Sequence, residues 1–148
     1  MPKLLVAVLL AAATAAVVRH GGHHQTSNLA FDRLWIDHVP RGERDPIEIF
    51  VANDAEAVGE FVTTTRWAGK FEGFRFEAEG DELRAVFPQT GARERMTIRA
   101  KACDQRGFDY CLVIEGSGHG TQRYYSQKDW VIERSADVDA RVKAILAP

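Results

Sequence analysis

The sequence predicts a mostly β protein, an up-and-down antiparallel barrel of about eight strands with one C-terminal helix. Three observations lead there. Residues 61–87, FVTTTRWAGKFEGFRFEAEGDELRAVF, read as a three-stranded meander. Short alternating segments on both sides of it are joined by brief turn-rich connections, and closing such a run on itself leaves no free edge. The chain then ends in a short apolar stripe carrying the charge pattern of a helix. A flattened barrel or a sandwich of two sheets shares this pattern and stays open here.

In the meander, Ala68-Gly69 and Gly80-Asp81 supply the small or φ-tolerant residues that tight turns need. Closing the first turn on Trp67 and Lys70 sets Thr63 opposite Phe74 and Phe61 opposite Phe76. Closing the second on Glu79 and Glu82 sets Ala78 opposite Leu83, Phe76 opposite Ala85 and Phe74 opposite Phe87. Side chains alternate across a strand, so one face collects Phe61, Thr63, Phe74, Phe76, Ala78, Leu83, Ala85 and Phe87. The other face collects Thr64, Arg66, Arg75, Glu77 and Arg84, with Glu77 across from Arg84 as a favourable charge pair. A one-residue slip would reverse the faces, so two turns agreeing on one inside is strong support. Phe71 falls on the outer face beside Gly73, where a glycine marks a bulge or a bend.

The N-terminus reads as an export signal over residues 1–15: Lys3, an apolar run over 4–13, and Ala13-Thr14-Ala15 as the cleavage site. An uncleaved anchor is the alternative, since Ala16, Val17 and Val18 extend the run. No cysteine follows to carry a lipid. A flexible leader is expected over 16–30, and its His20, His23 and His24 lack the fixed geometry of a metal site. That leaves 31–148 as one domain, periplasmic or secreted, with a core of its own. With 19 Lys plus Arg against 21 Asp plus Glu, neither nucleic acid nor an anionic membrane is a favoured partner. No membrane insertion is expected after cleavage.

In chain order, residues 31–39 form the first strand, ended by Pro40 and a turn-rich stretch, and 47–51 form the second. Asn53 caps one helical turn over 53–57. Residues 94–103 and 108–115 make a hairpin whose inner face holds Met96, Ile98, Ala100 and Ala102 against Phe108, Tyr110, Leu112 and Ile114. Cys103 and Cys111 share its outer face. Set opposite each other, they pair Ala102 with Leu112, Ala100 with Ile114 and Arg99 with Glu115, and in an exported chain they read as a disulfide. A redox pair would call for Cys-x-x-Cys spacing, which is absent. The glycine-rich loop 116–120 lacks the ending of a phosphate loop and is no nucleophile elbow, so it reads as a hairpin loop. Residues 121–126 and 129–132 complete the sheet. Ser135 caps a helix over 135–146, whose stripe of Val138, Val142 and Ile145 packs on the outside of the sheet.

This order of strands and helix, with Trp35 in the first strand and Arg123 late in the chain, resembles the lipocalin and wider calycin group of small exported barrels. The resemblance implies that Arg123 packs on Trp35 to close the barrel and that a ligand sits inside. The chain departs from the group at Arg33, where the group has glycine, and it has no room for a helical lid between Pro40 and Pro46.

The function expected is binding of a small apolar or amphipathic molecule in the interior, against Phe61, Thr63, Phe74, Phe76, Phe87 and Tyr110. The same alternation of large and small residues also serves simply to fill a barrel. In that case an outer patch of Phe71, Val62 and Val86 points to a protein-interaction domain instead, its partner unknown. An enzyme on the same barrel is a third and weaker reading, with Asp37, His38, Glu72, His119, Arg123, Tyr124 and Tyr125 as its candidate groups, scattered over several segments and forming no catalytic motif. No catalytic residue, cofactor or metal is assigned.

Overall fold

The structure, a computed structural model, describes residues 29–147; the expected signal peptide and residues 16–28 of the leader lie outside them. The strands are β1 Trp35–Ile36, β2 Ile47–Asn53, β3 Val58–Thr64, β4 Gly69–Glu79, β5 Glu82–Phe87, β6 Ala92–Gln105, β7 Phe108–Glu115 and β8 Arg123–Ser126. Each pairs antiparallel with its neighbours in sequence, and β1 returns to β8 through Ile36 and Tyr125, closing an eight-stranded barrel. A 3-10 turn, Ser135–Asp137, leads into α1, Val138–Leu146. The predicted fold class is the one adopted.

The first strand is much shorter than expected. Asp32 takes a left-handed backbone conformation with φ 54°. At the other end, Asp37 Oδ1 accepts the backbone N–H groups of both His38 and Glu48 at 2.9 Å, which turns the chain away from the sheet. Of residues 129–132, only Val131 joins the sheet, bridging to Arg33. This seam is reinforced by Ser126 Oγ donating to the Leu34 carbonyl at 2.7 Å and by Leu34 N–H donating to that of Trp130 at 3.0 Å. In place of the expected helical turn over 53–57, Asn53 ends β2 and residues 54–57 form a tight turn, with Asn53 Oδ1 accepting the Glu56 N–H at 2.8 Å. The N-cap of α1 is Asp137 rather than Ser135.

Two registers differ from expectation, each by an even slip. Thr63 pairs with Lys70 and Phe61 with Glu72, because the first turn spans 65–68. Thr65 organises it, its Oγ1 accepting the N–H groups of Trp67 and Ala68 at 3.3 and 3.2 Å. The slip is even, so Phe61 and Phe74 still point inward. In the β6–β7 hairpin Ala100 pairs with Leu112 and Ile98 with Ile114, and the ladder is irregular between Ala102 and Gln105. Lys101 pairs with Cys111, so Cys103 lies diagonal to Cys111, and the two form a disulfide with Cα atoms 5.8 Å apart. Beyond the irregularity Phe108 leaves the interior and packs with Tyr125 and Trp130 on the outer side. No bulge occurs at Gly73, where the β3–β4 ladder runs uninterrupted. The second turn of the meander has the predicted register, Glu77 across from Arg84 included.

There are two cores, one on each side of the wall. Trp35, Phe50, Phe61, Phe74, Phe87 and Tyr124 are among the side chains filling the interior. Outside, α1 and the segment with Trp130 and Ile132 cover Leu34, Ile36, Ile47, Ile49 and Tyr125. The predicted stripe of α1 faces this outer core, with Val138 buried and Val142 and Ile145 half-buried. Strand β2 therefore has apolar side chains buried on both faces, Phe50 and Ala52 inward and Ile47, Ile49 and Val51 outward.

Two outcomes follow. Replacing both cysteines by alanine removes a cross-link between residues 8 apart in sequence, and chemical denaturation should report a loss of about 2–3 kcal/mol by the loop-entropy relation. Gly59→Ala would drive a Cβ into the Phe74 ring and within 2.8 Å of the Val51 carbonyl oxygen. It should cost about 1–3 kcal/mol in the same assay, as overpacking does.

Candidate functional site

The residues expected to line an internal pocket occupy the interior themselves. Phe61, Phe74, Phe76 and Phe87 are all buried. Phe74 has ring centroids at 5.5 Å from Phe61, 6.0 Å from Phe76 and 5.4 Å from Phe87. Phe50 adds contacts to Phe61 at 5.2 Å and Tyr124 at 6.0 Å. Thr63 stands at one mouth of the barrel, where its hydroxyl donates to the Glu48 carboxylate at 3.0 Å. Tyr110 lies at the other end, half-buried beneath the Arg33 guanidinium, 4.5 Å from its ring centroid.

Trp35 is buried in the interior and donates its indole N–H to the Ala30 carbonyl at 3.0 Å. Arg123 is exposed and pairs with Val113, while its neighbour Tyr124 is the residue of β8 that enters the interior core. The expected packing of Arg123 on Trp35 is thus replaced. Arg33 is the guanidinium that closes the barrel end, held by the Gln127 and Lys128 carbonyls.

The loop 116–120 plugs the Thr63 mouth instead of standing free. His119 lies 4.1 Å from Phe87, ring to ring, and 5.7 Å from Phe61. Its Nε2 pairs with Glu72, and its Nδ1 lies 3.0 Å from Glu94 Oε1 but off the line of a hydrogen bond. Ser117 Oγ anchors the loop on Glu94 Oε2 at 3.1 Å. Only glycine fits at position 120, where φ is +63° and a Cβ would strike Tyr124 Oη and the Phe61 ring. The Tyr124 hydroxyl accepts the Thr121 N–H at 3.0 Å, and burial holds its phenol well above the ordinary range. A hollow of about 250 Å³ remains beside His119, between Thr63, Glu72 and Phe71.

The larger concavity lies outside the barrel, a groove of about 750 Å³ between α1 and the outer faces of β3 and β4. Its origin is in the sequence. Along β4 the outward positions read Gly69, Phe71, Gly73 and Arg75, so Phe71 stands between two residues without side chains. Val62 pairs directly with Phe71 across the sheet. Val58, Val62, Val138 and Val142 give the groove apolar walls, with Arg75, Glu60 and Asp139 among its charged groups. Phe71 remains 65% exposed, because α1 covers the outer core beside it and not the ring itself. Burial raises the Glu60 carboxyl above its ordinary value, and Asp139 pushes it further the same way.

Of the scattered ionisable groups, His119 and Glu72 meet at the mouth. Asp37 and His38 lie elsewhere, on the loop after β1, where His38 is held between Asp37 at 2.9 Å and Asp45 at 3.2 Å. Comparison of the chain with family models, curated proteins and solved structures finds no match.

Because its proton is held more readily in the folded chain, Glu60 makes stability fall as pH rises from the ordinary glutamate value through the raised one. Above that window the penalty is constant. Glu60→Gln should remove this fall and be the more stable protein at neutral pH, the two converging in acid; urea midpoints across the range provide the check.

Proposed function

We propose that the protein is an exported binding domain that takes a small apolar or amphipathic ligand along the outer groove between α1 and β3–β4. The ligand class is the one expected from the sequence; the location is moved from inside the barrel to its outer wall. One observation carries the reading: the aromatic side chains that would line an internal pocket are packed against each other, whereas Gly73 leaves open space in the groove beside an exposed Phe71. Arg75 offers a polar head group a partner beside the valine walls. The Cys103–Cys111 disulfide fits an oxidising compartment, periplasmic or extracellular.

A protein partner on the same surface is the second reading. It is favoured by Phe71 and Trp67, 65% and 69% exposed at the β3–β4 hairpin.

Gly73→Leu tests the proposal with little risk to the fold, since a Cβ there meets nothing closer than Gln89 Nε2 at 3.6 Å. With a medium-chain fatty acid as probe, the native protein should bind saturably and show nuclear Overhauser contacts to Val62 and Phe71. Gly73→Leu should keep its melting temperature and weaken binding by about ten-fold or more, the equivalent of ~1.4 kcal/mol. Contacts from the probe to Phe50 and Phe87 instead would return the site to the interior.

A further inference from the structure

We propose that a second cleft, on a different part of the surface, is a binding site for a phosphate-type oxyanion. It has a volume of about 480 Å³ and is lined by Arg41 from the β1–β2 loop, Arg106 from the β6–β7 turn and Arg123 from β8, together with His38, Thr121 and Tyr125. Its lining shares no residue with the outer groove.

Three arginines drawn from three segments line this one cleft in a chain whose formal net charge is −2. Composition does not account for it. Asp37 is the one acid among the lining residues, and it is already engaged: Oδ1 accepts two backbone N–H groups and Oδ2 pairs with His38. Asp45 is shared between His38 at 3.2 Å and Arg41, whose Nε lies 3.4 Å away. Among the described residues no carboxylate comes within ion-pair distance of Arg106 or Arg123. Three arginines against the carboxylates of Asp37 and Asp45 leave an excess of positive charge at the cleft, which an arriving oxyanion offsets.

The way Arg106 is held adds to the case. It occupies the hairpin turn before Gly107 with φ 56°, a left-handed position that glycine or asparagine adopts far more easily than arginine. Its guanidinium lies 5.3 Å from the centre of the Tyr125 ring, so it is positioned over the cleft wall by a cation–π contact. The Cys103–Cys111 disulfide fixes the hairpin end that carries it. Guanidiniums are planar forks that match tetrahedral oxyanions through paired N–H groups, and the Thr121 and Tyr125 hydroxyls are available as further donors.

The test uses the full disulfide-formed protein and inorganic phosphate as probe, followed by titration calorimetry at fixed ionic strength. Arg106→Gly removes the charge at a position that favours glycine, so melting temperature should hold or rise while phosphate affinity falls by about ten-fold. Arg123→Gln, at an exposed strand position, should weaken binding similarly. Sedimentation with vesicles containing phosphatidic acid, against phosphatidylcholine alone, identifies the source. Binding to free phosphate assigns a soluble phosphate group, whereas binding only to the phosphatidic acid vesicles, lost in the same variants, assigns a lipid head group. Absence of saturable binding in both formats, or equal affinity in the two variants and the native chain, overturns the proposal.

Discussion

The packing of aromatic rings inside the barrel is the constraint from which the rest of the molecule follows. Phe50 reaches Phe61, Phe74 and Tyr124, and Phe74 reaches Phe76 and Phe87, so rings from β2, β3, β4, β5 and β8 meet in one interior cluster. Each such ring removes about 150–250 Å² from water, a large share of what a chain this short can bury. Glycine makes the arrangement possible at two points. Gly59 leaves the space that the Phe74 ring enters, and Gly120 lets the capping loop close over Phe61 and Tyr124. An interior assembled in this way has its polar groups at the ends: Arg33 over Tyr110 at one, His119 with Glu72 and Glu94 at the other.

Much of this was legible from side-chain parity alone. The inward identity of Phe61, Phe74, Phe76 and Phe87 survived a wrong register, because the slip in β3–β4 is even and parity is blind to even slips. What parity does not contain is the turn, and Thr65 decided that by capturing two backbone N–H groups with one hydroxyl. The cysteine pair was read correctly as a disulfide, but the direct cross-strand register inferred from it was not. The strands pair Lys101 with Cys111 and leave the disulfide diagonal, and no side-chain pattern announces that two-residue offset. Arg123 illustrates a different failure. Its role came from resemblance to other barrels, while its own position beside the inward Tyr124 already assigned it to the outer face.

The candidate sites were the least legible part, for a shared reason. The outer groove is open where Gly73 carries no side chain, and apolar patterning gives glycine no weight except as a breaker. The alternation of Gly73 with Phe71 was in the sequence, as outward positions of one strand, and taking Gly73 for a bend concealed it. The arginine cleft joins residues from three segments far apart in the chain, which the closed ring brings together when β1 meets β8. His119 was hidden likewise, since its ring partners Phe61 and Phe87 are contributed by distant strands.

The two cores make the wall of the barrel mechanically unequal around its circumference. At β2 the sheet is sandwiched, with apolar contacts behind and in front of it. Around β5 and the start of β6 it is a single layer whose outer side chains, Arg84, Val86, Arg93 and Arg95 among them, lie half-buried or exposed to water. Hydrogen bonds in the thin arc have solvent within reach, and those in the thick arc do not, so transient openings should concentrate in the former. The groove lies where the two regimes meet, with one wall formed by α1 over the thick arc and its floor running onto β4. An occupant bridging that boundary would stiffen the compliant arc by tying it to the rigid one, a route by which a surface ligand could damp motion on the far side of a closed sheet without altering its shape.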